Sequence, residues 1–251
     1  MKKHVFGWLA TAALAFSPLA VAGTACPQFF LNGQQPTVSA SESSRTTQVC
    51  YQDYVLMASG VTKENLYSAE HLTAAEVAAN ATFSRTGSWH QDAYIPDADR
   101  ASSSDYTNSG YDRGHMTPAG DPGSPDAERE TFSMANVVPQ YPGLNRGEWE
   151  KIEKQTRSLA TANGYVDVVT GPLFTRTPVR TIGSDQVAIP DYTWKAIYVP
   201  GEGAAAYLCT NDSAEMCQVV SVQEIADLSG VDPFPSLSSS QKANPIALTV
   251  P

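Results

Sequence analysis

Positive charge is scarce in this chain. Its 251 residues carry 16 Lys and Arg against 26 Asp and Glu, a formal net charge of −10. Such a balance excludes a protein that coats a polyanion or an anionic bilayer by bulk attraction, though not one with a local positive cleft. Histidine is rarer still, with four in all, one of them (His4) at the extreme N-terminus. Beyond the N-terminus no apolar run approaches the roughly 20 residues that a membrane-spanning helix needs. The four cysteines, Cys26, Cys50, Cys209 and Cys217, have neither C-x-x-C spacing nor a neighbouring histidine, which argues against a zinc site. With 42% hydrophobic, 9% aromatic and 17% charged residues, the chain has material for a sizeable core and does not read as disordered.

Residues 1–22 carry the pattern of a secretory signal: Lys2 and Lys3, an apolar run from Val5 to Phe16, then Ala20-Val21-Ala22. They predict a secreted or periplasmic protein with no membrane attachment after cleavage. The segment holds two lysines and no acid, so its removal takes the net charge from −10 to −12. An oxidising compartment favours disulfides. Three pairings are open; Cys26–Cys50, tying down the N-terminal arm, and Cys209–Cys217, closing a short loop, are the favoured two. Residues 23–50 are polar and read as an N-terminal extension, which leaves 51–251 as the main domain.

Within 51–251, Tyr54–Ala58 and Asn65–Leu72 read as strands around a turn near Gly60. Thr73-Ala74-Ala75-Glu76 resembles a capping box that opens a short helix. Residues 84–125, rich in Gly, Pro, Ser and Asp, predict a long loop with short ordered pieces, and loops of that length are usually functional. Trp149, Ile152, Leu159 and Ala160 mark an apolar stripe of a helix over Asn145–Ala162, stopped at Asn163-Gly164. Tyr165–Thr170 reads as a strand ending at Gly171-Pro172. Trp194–Val199 and Ala204–Cys209 read as a strand pair, and Val222–Leu228 as a short helix. Strands and helices without regular alternation predict an α+β fold in a single domain.

The sharpest local feature is Asp112-Arg113-Gly114-His115-Met116-Thr117-Pro118-Ala119. It sets a guanidinium, which suits phosphate oxygens, beside an imidazole able to take a proton near neutral pH, with a glycine that permits close backbone approach to a ligand. Downstream stand Asn136-Val137-Val138-Pro139-Gln140 and Leu144-Asn145-Arg146-Gly147-Glu148-Trp149. Asn145, Trp149, Glu153 and Arg157 recur every four residues, as on one face of a helix. On spacing alone, that helix is an ordinary amphipathic one with a surface ion pair from Glu153 to Arg157.

Taken in order, these blocks resemble the signature of the DNA/RNA non-specific endonucleases, the sugar-non-specific, endonuclease G-like ββα-metal nucleases. Tyr54–Leu72, Gly171-Pro172, Pro190 through Lys195-Ala196, and Gly230 through Phe234-Pro235 extend the likeness. It implies a ββα-metal fold, with a central antiparallel sheet flanked by helices, over residues 51–251. It also implies a metal-dependent endonuclease that hydrolyses DNA and RNA to 5′-phosphorylated products. His115 would be the general base. Asn145 would be the direct ligand of a magnesium ion, with manganese or calcium as alternatives, and Glu153 would hold that ion through water. Asn136 would position the metal waters or the phosphate. Arg113 would contact the scissile phosphate, and Arg85, in Ser84-Arg85-Thr86-Gly87-Ser88-Trp89, matches an upstream arginine that stabilises the transition state.

Several features sit outside that set. His71 reads as half-buried structure and Trp149 as core. His90 is a weak cleft candidate, Asp97-Ala98-Asp99 a solvated loop, and Asp112 a residue that orients its loop. A positive cleft would have to be assembled from Arg85, Arg113, Arg146 and Arg157 with acids turned outward, Arg146 and Arg157 adding substrate contacts, and activity should fall steeply with salt. Two other functions stay open: a non-catalytic exported nucleic-acid-binding protein on the same fold, and a phosphodiesterase acting on small substrates. The oligomeric state is open, a homodimer included.

Overall fold

A computed structural model gives the arrangement of residues 25–251; residues 1–22, read above as a signal, fall outside the described part. In chain order the elements are β1 (Thr37–Val38), β2 (Thr46–Cys50), β3 (Val55–Ser59), β4 (Glu64–Thr73), α1 (Ala74–Asn80), β5 (Asp112–His115), α2 (Pro125–Glu130), β6 (Val137–Gln140), α3 (Pro142–Arg146) and α4 (Glu148–Asn163). The second half adds β7 (Tyr165–Leu173), β8 (Thr181–Ile182), β9 (Val187–Ala188), β10 (Tyr192–Val199), β11 (Gly203–Thr210), β12 (Cys217–Val220), α5 (Val222–Ser229), β13 (Val231–Asp232) and α6 (Ser239–Ala243).

Seven strands form one antiparallel sheet in the order β12-β11-β10-β7-β4-β3-β2. Successive side chains of a strand point to opposite faces, so a sheet buried on both sides reads as nearly continuous apolar sequence. On one face Ala69, Val169, Ala196 and Ala206 sit in register and pack with Phe29, Phe30, Leu31, Val222, Ile225 and Phe234. On the other, Leu72, Val166, Val168 and Ile197 receive Trp149, Ile152 and Ala160 from α4. The α+β, single-domain expectation holds, as do the strand pair at 194–209 and the capping box. In that box, Glu76 N donates to Thr73 Oγ1 at 3.2 Å and Thr73 N to Glu76 Oε2 at 2.7 Å.

The N-terminal segment is not a loose extension. Phe29, Phe30 and Leu31 are buried in the first core cluster, β2 is an edge strand of the main sheet, and β1 pairs with β13. A boundary at residue 50 therefore has no counterpart in the packing: a few apolar residues in a polar stretch suffice to anchor it. Both favoured disulfides, Cys26–Cys50 and Cys209–Cys217, are formed.

The helix expected over 145–162 is two helices. α3 ends at Arg146 and α4 begins at Glu148, with Gly147 between them at φ −115° and ψ −108°. A Cβ at Gly147 would lie 2.5 Å from the Gly143 carbonyl oxygen. Asn145 and Trp149 consequently belong to different helices and share no face. We predict that Gly147→Ala lowers stability by about 1–3 kcal/mol, the usual cost of forcing atoms into a packed contact, read as a drop in the urea midpoint at unchanged slope. An unchanged midpoint would show that α3 and α4 can separate without penalty.

Candidate active site

The site grows from the short pairing of β5 with β6. Asp112 lies opposite Gln140, Arg113 opposite Pro139, Gly114 opposite Val138 and His115 opposite Val137. Gly114 is required by packing: a Cβ there would fall 2.2 Å from Gln140 Oε1. The glycine thus makes room for a buried neighbour and not, as its position in the sequence suggests, for a ligand. Following β6, the chain turns at Tyr141 into α3, which carries Asn145 and Arg146, and then α4, which carries Glu153 and Arg157. Strand pair and helices enclose a cleft of about 680 Å³ whose lining includes His115, Arg113, Arg85, Asn145, Arg146, Glu153 and Arg157.

His115 closes β5 in an aromatic box. Its ring lies 5.0 Å from Trp89 and meets Phe132 edge-on at 5.2 Å, centroid to centroid. The Arg85 guanidinium sits 4.6 Å from the Phe132 centroid. Burial, and then the Arg85 charge, push the imidazole down to about 3, so the ring is neutral at any ordinary pH. Its Nε2 is buried and has no hydrogen-bond partner among the described residues. Arg113 is held from behind: Nη2 donates to the Ser103 carbonyl at 2.6 Å and to Ser103 Oγ at 3.0 Å, while the guanidinium stacks near Tyr106 and Trp89.

Asp112 ties β5 to α3. It accepts from Asn145 Nδ2 at 3.0 Å and from the Arg146 fork, Nε at 2.7 Å and Nη2 at 2.6 Å. Burial raises its carboxyl, but the Arg146 and Asn145 hydrogen bonds prevail and hold it below the usual carboxylate range. Because the Asn145 amide spends its nitrogen on Asp112, the Oδ1 end is turned away from that carboxylate and remains available as an acceptor. Glu153 lines the same cleft; burial pushes its carboxyl up to about 7, against the opposing charge of Lys195.

Two residues depart from expectation. Asn136 is fully buried and outside the cleft lining. Its Nδ2 donates to the Thr117 and Thr131 carbonyls at 2.8 and 2.9 Å, and its Oδ1 accepts from Thr117 N at 3.0 Å. With the amide consumed by the backbone it cannot reach metal waters or phosphate; it fixes the segment that follows His115. Arg157 does not pair with Glu153 on the surface but donates to the buried Asp121 at 2.7 Å. Acids therefore enter the cleft region instead of facing outward, since half-buried guanidinium groups need partners.

Sequence reasoning missed what lies beneath. Lys195 is fully buried on the α4 face of the sheet, with Nζ 2.7 Å from Thr170 Oγ1, 3.3 Å from the Met116 carbonyl and 5.6 Å from the Trp149 ring centroid. Burial and the nearby Asp121 hold the Glu70 carboxyl well above its ordinary range. The period-2 pattern gives no warning of charges there, because Ser68, Glu70, Thr170 and Lys195 alternate with apolar residues that face the other side. Elsewhere, His71 is half-exposed and bonded through Nδ1 to Asp167 at 2.7 Å, and His90 bonds the Ser88 carbonyl outside the cleft lining. Asp97 and Asp99 pair with Arg100 and Arg45.

The chain is similar to known nucleases in sequence and in fold. The chain is 30% identical to the human (Homo sapiens) mitochondrial nuclease EXOG, covering 86% of this chain and 69% of that one. It is 37% identical to bovine (Bos taurus) mitochondrial endonuclease G over 46% of this chain and 42% of that one, so it spans less than half of that relative. A chain of the crystal structure of the EndoG/EndoGI complex superposes with a TM-score of 0.72 at 29% identity, covering 77% of this chain and 88% of that one; the fold is that of a ββα-metal nuclease. Both sequence relatives are named as mitochondrial, which overturns the secreted or periplasmic expectation; a basic, acid-free start is common to export and mitochondrial signals. The family model for DNA/RNA non-specific endonucleases matches residues 32–240, and the chain is an enzyme of that family of divalent-metal-dependent nucleases.

Proposed function

We propose that this enzyme hydrolyses phosphodiester bonds of both DNA and RNA, leaving 5′-phosphates, with His115 as general base at a magnesium-dependent centre. The observation that carries this reading is the shared cleft: a neutral imidazole, an amide oxygen, a carboxylate and two stacked arginines line one space. The donor set suits a hard cation, since Asn145 Oδ1 and Glu153 offer only oxygen and leave coordination positions for water and phosphate, as magnesium prefers. Asn145 would hold the ion directly and Glu153 through water. When bound, it supplies Lewis-acid stabilisation of charge on the phosphate and on the departing 3′-oxygen.

The chain's own groups do the rest. The His115 imidazole accepts the proton of the attacking water, and its burial keeps it in the base form. Arg113, braced by Ser103 and two aromatic rings, and Arg85, beside Phe132, donate to the non-bridging oxygens, where negative charge grows. Asp112 keeps the Asn145 amide turned with oxygen outward. Asp121, Glu70 and Lys195 carry the floor on which Arg157 and Glu153 stand.

Purified protein should digest plasmid and RNA in magnesium but not in EDTA. His115→Ala should lower the rate by about 10²–10⁴-fold, the usual worth of a well-placed base, with circular dichroism unchanged. Undiminished digestion by that variant would remove the base from the scheme.

An NMR titration of the imidazoles should show His115 neutral to below pH 5. Arg85→Leu should move its midpoint upward, because a cation that disfavours the imidazolium has been taken away. In the unfolded chain a histidine titrates near 6.5. The buried neutral ring therefore contributes stability fully above that pH and loses it as pH falls toward about 3.

Arg146 and Arg157 are neutralised by Asp112 and Asp121, so Arg85 and Arg113 are left to meet phosphates. Binding of a short duplex in EDTA should thus weaken with salt at a log–log slope of about −2, near −0.9 per phosphate neutralised, a shallower dependence than charge counting suggests. A slope near −4 would mean that both ion pairs open on binding.

A further inference from the structure

Where the chain leaves β11 and enters the loop closed by Cys209–Cys217, Asn211 is buried between three separate segments. Its Nδ2 donates to the Pro139 carbonyl at 2.9 Å, at the end of β6, and to the Pro190 carbonyl at 2.8 Å, ahead of β10. Its Oδ1 accepts from Tyr141 N at 2.7 Å. Both amide protons and one oxygen lone pair are thus committed to main chain. The backbone of Asn211 is pinned as well, N to the Asp191 carbonyl at 2.8 Å, and Thr210 beside it pairs across the loop with Met216.

Tyr141 is the residue that precedes α3, and α3 starts with no side-chain cap of its own. The Tyr141 peptide faces two ways. Its N–H goes to Asn211, and its carbonyl accepts from Asn145 N at 2.9 Å, the hydrogen bond that opens the helix. Two hydrogen bonds in series therefore run from Asn211 to the backbone of Asn145. The side chain of Asn145 is fixed separately by Asp112. Its backbone has α3 to rely on, and α3 is a helix of five residues, too short to hold its own position. Leu144, buried in the core, and the Asp112 contacts of Asn145 and Arg146 hold the later part of α3, while the Tyr141 N–H to Asn211 is the anchor at its start.

We infer that Asn211 is a positioning residue for the metal: by holding the Tyr141 peptide it sets the height at which α3 presents the Asn145 oxygen to the cation. This rests on the reading of Asn145 as the direct ligand. Outer partners that orient a ligand typically change metal affinity by about 10–100-fold when lost. The two functions of the Asn211 amide are separable. The donors to Pro139 and Pro190 join strands, and the acceptor for Tyr141 N acts on α3.

The test is Mn²⁺ binding to the full chain without substrate, followed by EPR of the free ion, for Asn211→Ala, Asn211→Asp and Asn145→Ala. Asn211→Ala should weaken Mn²⁺ binding about tenfold or more while melting cooperatively. Asn211→Asp, which keeps an acceptor for Tyr141 N and loses the amide donors, should retain affinity near that of the parent despite a lower melting temperature. Unchanged affinity in folded Asn211→Ala overturns the inference. If Asn211→Ala does not fold, Asn211→Asp decides: affinity near the parent supports the inference, and a loss as large as in Asn145→Ala overturns it. Asn145→Ala distinguishes the two levels. Should it bind Mn²⁺ like the parent, the metal-ligand reading fails and the inference falls with it; should it lose the ion while Asn211→Ala does not, only the inference fails.

Discussion

One carboxylate joins the halves of the cleft. Asp112 stands at the start of the strand that ends in His115, and it grips Asn145 and Arg146, more than thirty residues downstream, through three hydrogen bonds. Arg146 is 72% exposed and Asp112 17%, so the ion pair contributes little to stability by itself. Its effect is geometric. An amide has two ends of nearly equal size and opposite hydrogen-bonding character, and an acid on one side decides which end faces the cleft. A carboxylate held below its usual range by Arg146 and Asn145 stays ionised at any pH where such an enzyme works.

Around that join, charge is handled by pairing and burial instead of by abundance. An acidic chain meets a polyanion with few cations, and half of the cleft arginines are already matched to acids. The two that are not, Arg85 and Arg113, are stacked on aromatic rings or braced by carbonyls, which limits the freedom they lose when a phosphate arrives. The same aromatic box dries His115. Burial and the positive charge of Arg85 together keep the imidazole neutral, and the same guanidinium lines the cleft.

The supporting structure works through backbone. Asn136 spends its amide on the peptide groups of the segment after His115, Asn80 donates to the Ala119 and Pro122 carbonyls, and Asn211 holds the entrance to α3. Each is an amide on one element that satisfies main-chain groups of another, in places where no regular ladder exists to do so. Within 84–125 such amides hold the part from Thr117 to Pro122, while the carboxylates of Glu128, Asp92 and Asp105 accept from main-chain N–H groups of the earlier part, which is how a segment rich in Gly, Pro and Ser is ordered.

Local rules decided much in advance. Alternation and β-branching marked the strands, and Thr73 and Glu76 announced the cap of α1, because these signals depend on residues close in the chain; His115, Arg113 and Asn145 were singled out by the resemblance of the Asp-Arg-Gly-His and Leu-Asn-Arg-Gly blocks to a family. Other features needed partners distant in sequence. Gly147 breaks a helix that periodicity would continue, as only the packed chain shows that the Gly143 oxygen occupies the space for a side chain. Asn136 looks like a site residue until Thr117 and Thr131 are seen to consume its amide. Asp121 and Asn211 carry no local pattern at all, and Lys195 figures only inside a block of the resemblance that assigns it no role. Their meaning comes from burial and from which group the fold sets opposite them, quantities that a one-dimensional order of residues does not contain.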